Sequence, residues 1–174
     1  MNESFKTELR KESERIEEDS LFSGKGHYNA VSPWSWGHRA LGILAAVGSA
    51  VAGAAILKEW SHSLAFGAAA VSTIAAVVLT TLKPSEEAER HQRAGDRYFA
   101  IKNRARIFRT IELMASSATE ESLVKEIKTI SADLDDVRSS APNIPRRAYS
   151  KARHDIEIAN TAQYRVDKTS GKNL

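Results

Sequence analysis

The chain of 174 residues has no cysteine, which excludes disulfide scaffolds, cysteine-ligated metals and thiol nucleophiles. Aromatic residues make up 7% and prolines number four, so few large rings are available to fill a core. Charge is missing altogether from two stretches: Ala40 to Leu57 and Leu64 to Leu82, 18 and 19 residues long, contain no Asp, Glu, Lys, Arg or His. The first 39 residues lack an apolar run and begin with alternating acids and bases, so no secretory signal is expected. Neither a strand-like alternation nor an internal repeat is found.

What is present follows from the two uncharged stretches. At about 1.5 Å per residue each is roughly 27 to 29 Å long as a helix, close to the ~30 Å hydrocarbon thickness of a bilayer. The expectation is a transmembrane helical hairpin with spans at about 38–57 and 64–82. The first span has seven large aliphatic residues among Ala, Gly and Ser. At roughly 0.3 to 0.6 kcal/mol each, insertion of that helix alone is driven by only a few kcal/mol. Close packing of small residues adds to it: Gly42, Ala46, Ser49 and Gly53 recur at three- and four-residue spacing, opposite Gly67 on the second span, and are the candidate helix-packing and oligomerisation positions. The alternative, a soluble bundle burying both helices on all sides, lacks large apolar residues elsewhere to wrap them.

The ends of the stretches agree. Trp34 and Trp36 precede the first and Trp60 lies in the connection, where amphipathic rings sit at headgroup level; all three are candidate interfacial anchors. Arg39 and Lys83 bracket the hairpin as snorkelling cations. The connection carries one Lys and no Arg, whereas residues 83–102 carry five basic residues, so both termini are expected to be cytoplasmic. Net charge is +3, with eighteen Lys and Arg against fourteen Asp and Glu in residues 83–174. That excess suits anionic lipid headgroups better than nucleic acid, which needs a denser basic face; no direct nucleic-acid binding is expected.

Taken in order, residues 1–24 read as a charged amphipathic helix with Phe5, Leu9 and Ile16 on one side, ending in a flexible linker at Ser23-Gly24-Lys25-Gly26. The glycines lack the Walker spacing and a preceding strand, so no phosphate loop is read there. Residues 25–85 form the transmembrane region, with Ser32 and Pro33 as its helix start near Trp34. Pro84 then breaks the helix, and residues 86–166 form a cytoplasmic helical region. Within it, Ala94, Tyr98, Ile101, Ala105 and Phe108 step by four and three on a helix running to about Ser116. Leu123, Ile127, Ile130, Leu134 and Val137 repeat the device on a helix over Glu120–Arg138, capped by Thr119. These two predict an antiparallel helical hairpin. A last helix from Pro145 to about Arg165 presents Tyr149, Ala152, Ile156 and Ala159, and residues 167–174 are expected to be a disordered tail. The fold class is all-α.

Four basic residues, Arg90, Arg93, Arg97 and Arg104, share one side of the first cytoplasmic helix and are candidate contacts for an anion or headgroup, against local ion pairing as the plainer alternative. His91 stands four residues after Glu87, a metal-ligand spacing, but no second histidine is near it in sequence, so no metal and no cofactor is expected. No catalytic constellation can be assembled and the chain is expected not to be an enzyme. In the spans, Ser49, Ser72 and Thr73 are candidate pore-facing groups if several copies surround an axis; the alternative is bonding to their own helix carbonyls.

Two closely spaced spans followed by Lys83-Pro84-Ser85-Glu86-Glu87-Ala88-Glu89-Arg90-His91-Gln92-Arg93-Ala94-Gly95-Asp96-Arg97-Tyr98 and a long helix resemble the SLATT domain, a two-transmembrane effector associated with bacterial nucleotide-second-messenger defence systems. The resemblance covers about residues 25–160, and Ala88, His91, Gly95 and Tyr98 are its most telling positions. It implies two membrane helices plus cytoplasmic helices in a bacterial inner membrane, and a homo-oligomer that breaches the lipid bilayer, killing or arresting the cell. The trigger it implies is a nucleotide second messenger or an associated nucleotidyltransferase or sensor protein. It supplies no catalytic residues.

Overall fold

The computed structural model describes residues 3–58 and 61–158. The chain is all-helical, with no strand among the described residues. Its elements are α1 (Glu3–Leu57), α2 (His62–Leu82), α3 (Pro84–Thr110), a 3₁₀ turn (Glu112–Met114), α4 (Glu120–Ser140) and α5 (Arg146–Glu157). Two compact units result: one takes residues 31–90, the other combines residues 1–30 with 91–174. The boundaries differ from the sequence expectation of cuts after 24 and 85, because the N-terminal helix folds with the C-terminal helices.

The expected linker at Ser23–Gly26 is instead helical, and α1 runs without a break through Gly24, Gly26 and Pro33. The reason lies in what the glycines touch. A Cβ on Gly24 would come within 3.0 Å of the Phe99 ring, and one on Gly26 within 3.1 Å of Ile144. These glycines therefore admit neighbouring side chains against the α1 backbone, and tertiary packing outweighs their poor helix propensity of roughly 1 kcal/mol each. Pro33 removes one backbone donor inside α1, but it does not start the helix as Ser32-Pro33 suggested.

In the unit built from residues 1–30 and 91–174, the predicted seams are the core. Tyr98, Ile101, Ala105 and Phe108 of α3 pack with Leu123, Ile127, Ile130, Leu134 and Val137 of α4, and Leu9 and Ile16 of α1 join the same cluster. Ion pairs flank it. Arg104 reaches Glu126 at 2.8 Å and Asp133 at 2.6 Å, and Arg97 pairs with Asp136. Arg109 pairs with Glu17 at 3.1 Å and Arg138 with Asp19 at 2.6 Å. The glutamates of the N-terminal segment thus partly serve distant arginines. On α5, Ala148 and Ala152 are the buried residues while Tyr149 is exposed; the expected continuation toward Arg165 and the tail lie outside the described residues.

Helix ends follow the expected chemistry where the chain supplies it. The Thr119 hydroxyl accepts from the Ser122 amide at 3.2 Å and the Ser122 hydroxyl accepts from the Thr119 amide at 3.1 Å, a reciprocal cap that starts α4. Lys83 ends α2 in the left-handed region, at φ 44°, with its N–H donated to Leu79. Pro84, which has no N–H to continue the helix, becomes the first residue of α3.

Candidate functional site

In the unit of residues 31–90, helices α1 and α2 meet through their smallest side chains. A Cβ on Gly48 would lie 2.9 Å from the Ala68 carbonyl oxygen and 3.0 Å from the Ser72 Cβ, so only glycine fits there without a shift. Ala52, Ala55 and Ala75 are buried beside it. The Ser72 hydroxyl donates to the Ala45 carbonyl at 2.7 Å, and the Ser49 and Ser72 oxygens lie 2.6 Å apart. Such contacts let helix backbones approach closely and replace the missing bulk with dispersion and hydrogen bonding.

The large residues point the other way. Ile43, Val47, Ile56, Phe66, Ile74 and Val77 are all more than half exposed, Phe66 at 79%. Both helices are long and apolar enough to cross a membrane, and only 17% of the apolar window in each is buried. Most of each window is therefore left uncovered by the rest of the chain.

Of the predicted packing positions, Ser49 takes part in the α1–α2 contact, whereas Gly42, Gly53 and Gly67 have nothing within 4 Å of where a Cβ would stand, and Ala46 is exposed. The residues missed are Gly48, Ala52 and Ala55. A signal for them exists: α1 carries two interleaved rows of small residues, 42/46/49/53 and 45/48/52/55, about a third of a turn apart. The second row meets α2; of the first, Ser49 reaches Ser72, while Gly42, Ala46 and Gly53 remain open. Among the candidate pore residues, Ser72 is turned to α1, and Thr73 is exposed with its hydroxyl on its own helix at Ala69. Trp36 is exposed and Trp34 half-buried, while Trp60 lies outside the described residues.

Of the four arginines on one side of α3, three have carboxylate partners. Arg97 and Arg104 face carboxylates of α4, and Arg90 pairs with Glu87 at 3.0 Å along its own helix. The Arg97 and Arg104 guanidiniums thus fasten α3 to α4.

His91 has a partner that sequence distance concealed. Its Nδ1 lies 2.9 Å from Nδ1 of His27, 64 positions earlier, and both rings are buried. One ring must carry the proton there and the other accept it. His27 also stacks on Tyr98, with centroids 5.4 Å apart. Burial, reinforced by repulsion from His91, pushes the His27 pKa down to about 4. Beside the pair, Gly95 admits the Tyr28 ring and the Gly24 carbonyl, each 3.4 Å from its missing Cβ, and the Tyr28 hydroxyl donates to Asp96, which raises the tyrosine pKa. Among the described residues no group of three His, Cys, Asp or Glu side chains converges as a metal site. A shallow cleft of about 280 Å³ has Glu18, Asp19 and Glu157 on its walls, but Asp19 and Glu157 are already paired with Arg138 and Arg153.

Comparison with protein-family models, with curated proteins and with solved structures finds no match.

Proposed function

We propose that the chain is an oligomerising effector of a bacterial inner membrane. In this reading α1 and α2 form a hairpin in lipid with both termini cytoplasmic, and the unit built on α3, α4 and α5 responds to a nucleotide second messenger or a partner sensor. The triggered assembly breaches the bilayer and kills or arrests the cell. The carrying observation is the inverted packing of residues 31–90: small residues meet inside and large apolar ones face outward. Each such side chain left in water forfeits roughly 1.5 to 3 kcal/mol, a penalty that lipid removes. The defence role rests on the resemblance of residues 83–98 to the SLATT pattern, and assembly on the open row of Gly42, Ala46 and Gly53 with Gly67.

Four measurements test it. After alkaline carbonate washing the protein stays in the membrane pellet, and a tag at Ser61 is shielded from the cytosol; recovery in the supernatant, or a cytosol-facing tag, overturns the membrane reading. Gly53→Leu or Gly67→Leu abolishes cross-linking between copies; an unchanged pattern removes these glycines from the contact. Membrane potential, followed with a dye, collapses when the intact system is triggered. An unchanged potential would favour a second reading, a non-lytic scaffold docking a cytoplasmic enzyme. For that reading the specific observation is the exposed row Ile107, Ile111 and Met114 at the end of α3.

A further inference from the structure

Resting on the membrane reading, one face of α1 carries chemistry that the hairpin itself does not use. From Ser20 to Lys58 the sequence contains no acidic residue, so no neighbour one turn away can neutralise a cation in this segment. Lys25 is matched by Asp155 at 3.9 Å. Arg39, by contrast, is exposed and has no carboxylate partner among the described residues. The cation at the end of α2 is different: Lys83 holds Glu86 at 2.9 Å. Trp36 lies three residues before Arg39 and Ile43 four after it, followed by Val47; on a helix these four fall within one side, and all are exposed, Trp36 at 72% and Ile43 at 64%.

From this we infer that Trp36, Arg39 and Ile43 form a binding site for one anionic glycerophospholipid. The guanidinium fork matches phosphate oxygens and takes two of them at once. The indole sits at the depth of the glycerol ester carbonyls, where an amphipathic ring with an N–H donor is favoured. Ile43 and Val47 line the path of an acyl chain toward the bilayer centre. A zwitterionic lipid carries its own ammonium beside the phosphate and gains less from an uncompensated arginine; a headgroup with net negative charge gains in full.

The test uses the full chain reconstituted in vesicles holding equal parts of phosphatidylglycerol and phosphatidylcholine. Co-flotation measures insertion, and native mass spectrometry of the extracted protein counts the lipids retained. The wild type retains phosphatidylglycerol over phosphatidylcholine by about fivefold, the factor expected of one cation at an anionic surface. Arg39→Gln still floats and is equally helical but loses that preference; Arg39→Lys keeps part of it, because the charge remains and the fork does not. Trp36→Ala lowers total lipid retained. Lys83→Gln, which removes a cation already paired, leaves the preference intact. Added glycerol phosphate does not strip the lipid; if it does, the site takes a free phosphate group and the lipid assignment fails. An Arg39→Gln protein with undiminished preference overturns the site while insertion stands, whereas failure of every variant to float overturns the membrane reading itself.

Discussion

The two compact units use their side chains in opposite senses. In residues 1–30 and 91–174 the largest apolar groups are inside, with Phe108 and Ile130 wholly buried, and arginine–carboxylate pairs lie around them. In residues 31–90 the inside is Gly48, Ala52, Ala55, Ser72 and Ala75, and the outside is Phe66, Ile74 and Ile56. Water drives the first arrangement, since burying apolar area is its main stabilisation. It contributes less to the second, where helix contact comes from close approach and hydrogen bonding; under the proposed membrane reading, lipid solvates the outward surface. The same residue types mean different things in the two halves: a serine that caps α4 in one is an interhelical donor in the other.

If that contrast is right, truncating a large side chain should be severe in the first unit. Phe108→Ala leaves a void at a fully buried position and is expected to cost about 3 to 5 kcal/mol. Native-state hydrogen exchange of α3 and α4 amides in detergent reads it: protection there falls by two orders of magnitude or more. Loss of less than tenfold would mean the seam is loosely packed and the contrast overstated.

Next comes acid. His27 titrates near 4 when folded against about 6.5 unfolded, so the unfolded chain binds the proton more readily between those values. Its contribution is therefore fully present above pH 6.5 and lost as pH falls through 4, up to about 3 kcal/mol in all. Exchange protection of α3 should decline across that window in the wild type and much less in His27→Gln. Equal slopes in both would assign the acid response to other groups.

In the second unit the sensitive change is growth rather than truncation. Gly48→Val places methyl groups where 2.9 Å separates a Cβ from the Ala68 carbonyl and should cost about 1 to 3 kcal/mol of α1–α2 association. Gly53→Val meets nothing within 4 Å and should leave the pair intact. Because the chain has no cysteine, a Ser49→Cys, Ser72→Cys pair gives a clean readout: oxidation links it readily in the Gly53 variant and poorly in the Gly48 variant. Equal linking would mean the contact row is not 45/48/52/55.

Much of this was legible in the sequence because its physics is local. The absence of charge marked the two apolar helices, the four-and-three steps marked the α3 and α4 residues of the main apolar cluster, and Thr119 and Pro84 marked helix boundaries. What was not legible depends on partners remote in sequence. Gly24 and Gly26 carry strong local signals for a break, and the rings and side chains packed against the α1 backbone overrule them; Pro33 too lies inside the unbroken helix. His27 and His91 stand 64 residues apart, so neither looked paired. Spacing could not choose between two interleaved small-residue rows, and charge pattern could not tell that Arg97 and Arg104 already face carboxylates.

The smallest expected effect probes the same contrast most finely. Ser72→Ala removes the donor to the Ala45 carbonyl and the partner of Ser49 but keeps the small volume at the contact. Interhelical hydrogen bonds in lipid contribute about 0.6 kcal/mol on average, because the separated helices also find partners for these groups. Helix-pair stability should therefore drop by less than Gly48→Val causes, with the α1–α2 arrangement unchanged. The measurement is cross-linking between cysteines placed at Ala45 and Ala68, compared with and without the Ser72 change. A drop as large as that of Gly48→Val would make hydrogen bonding, and not close approach, the main link between α1 and α2.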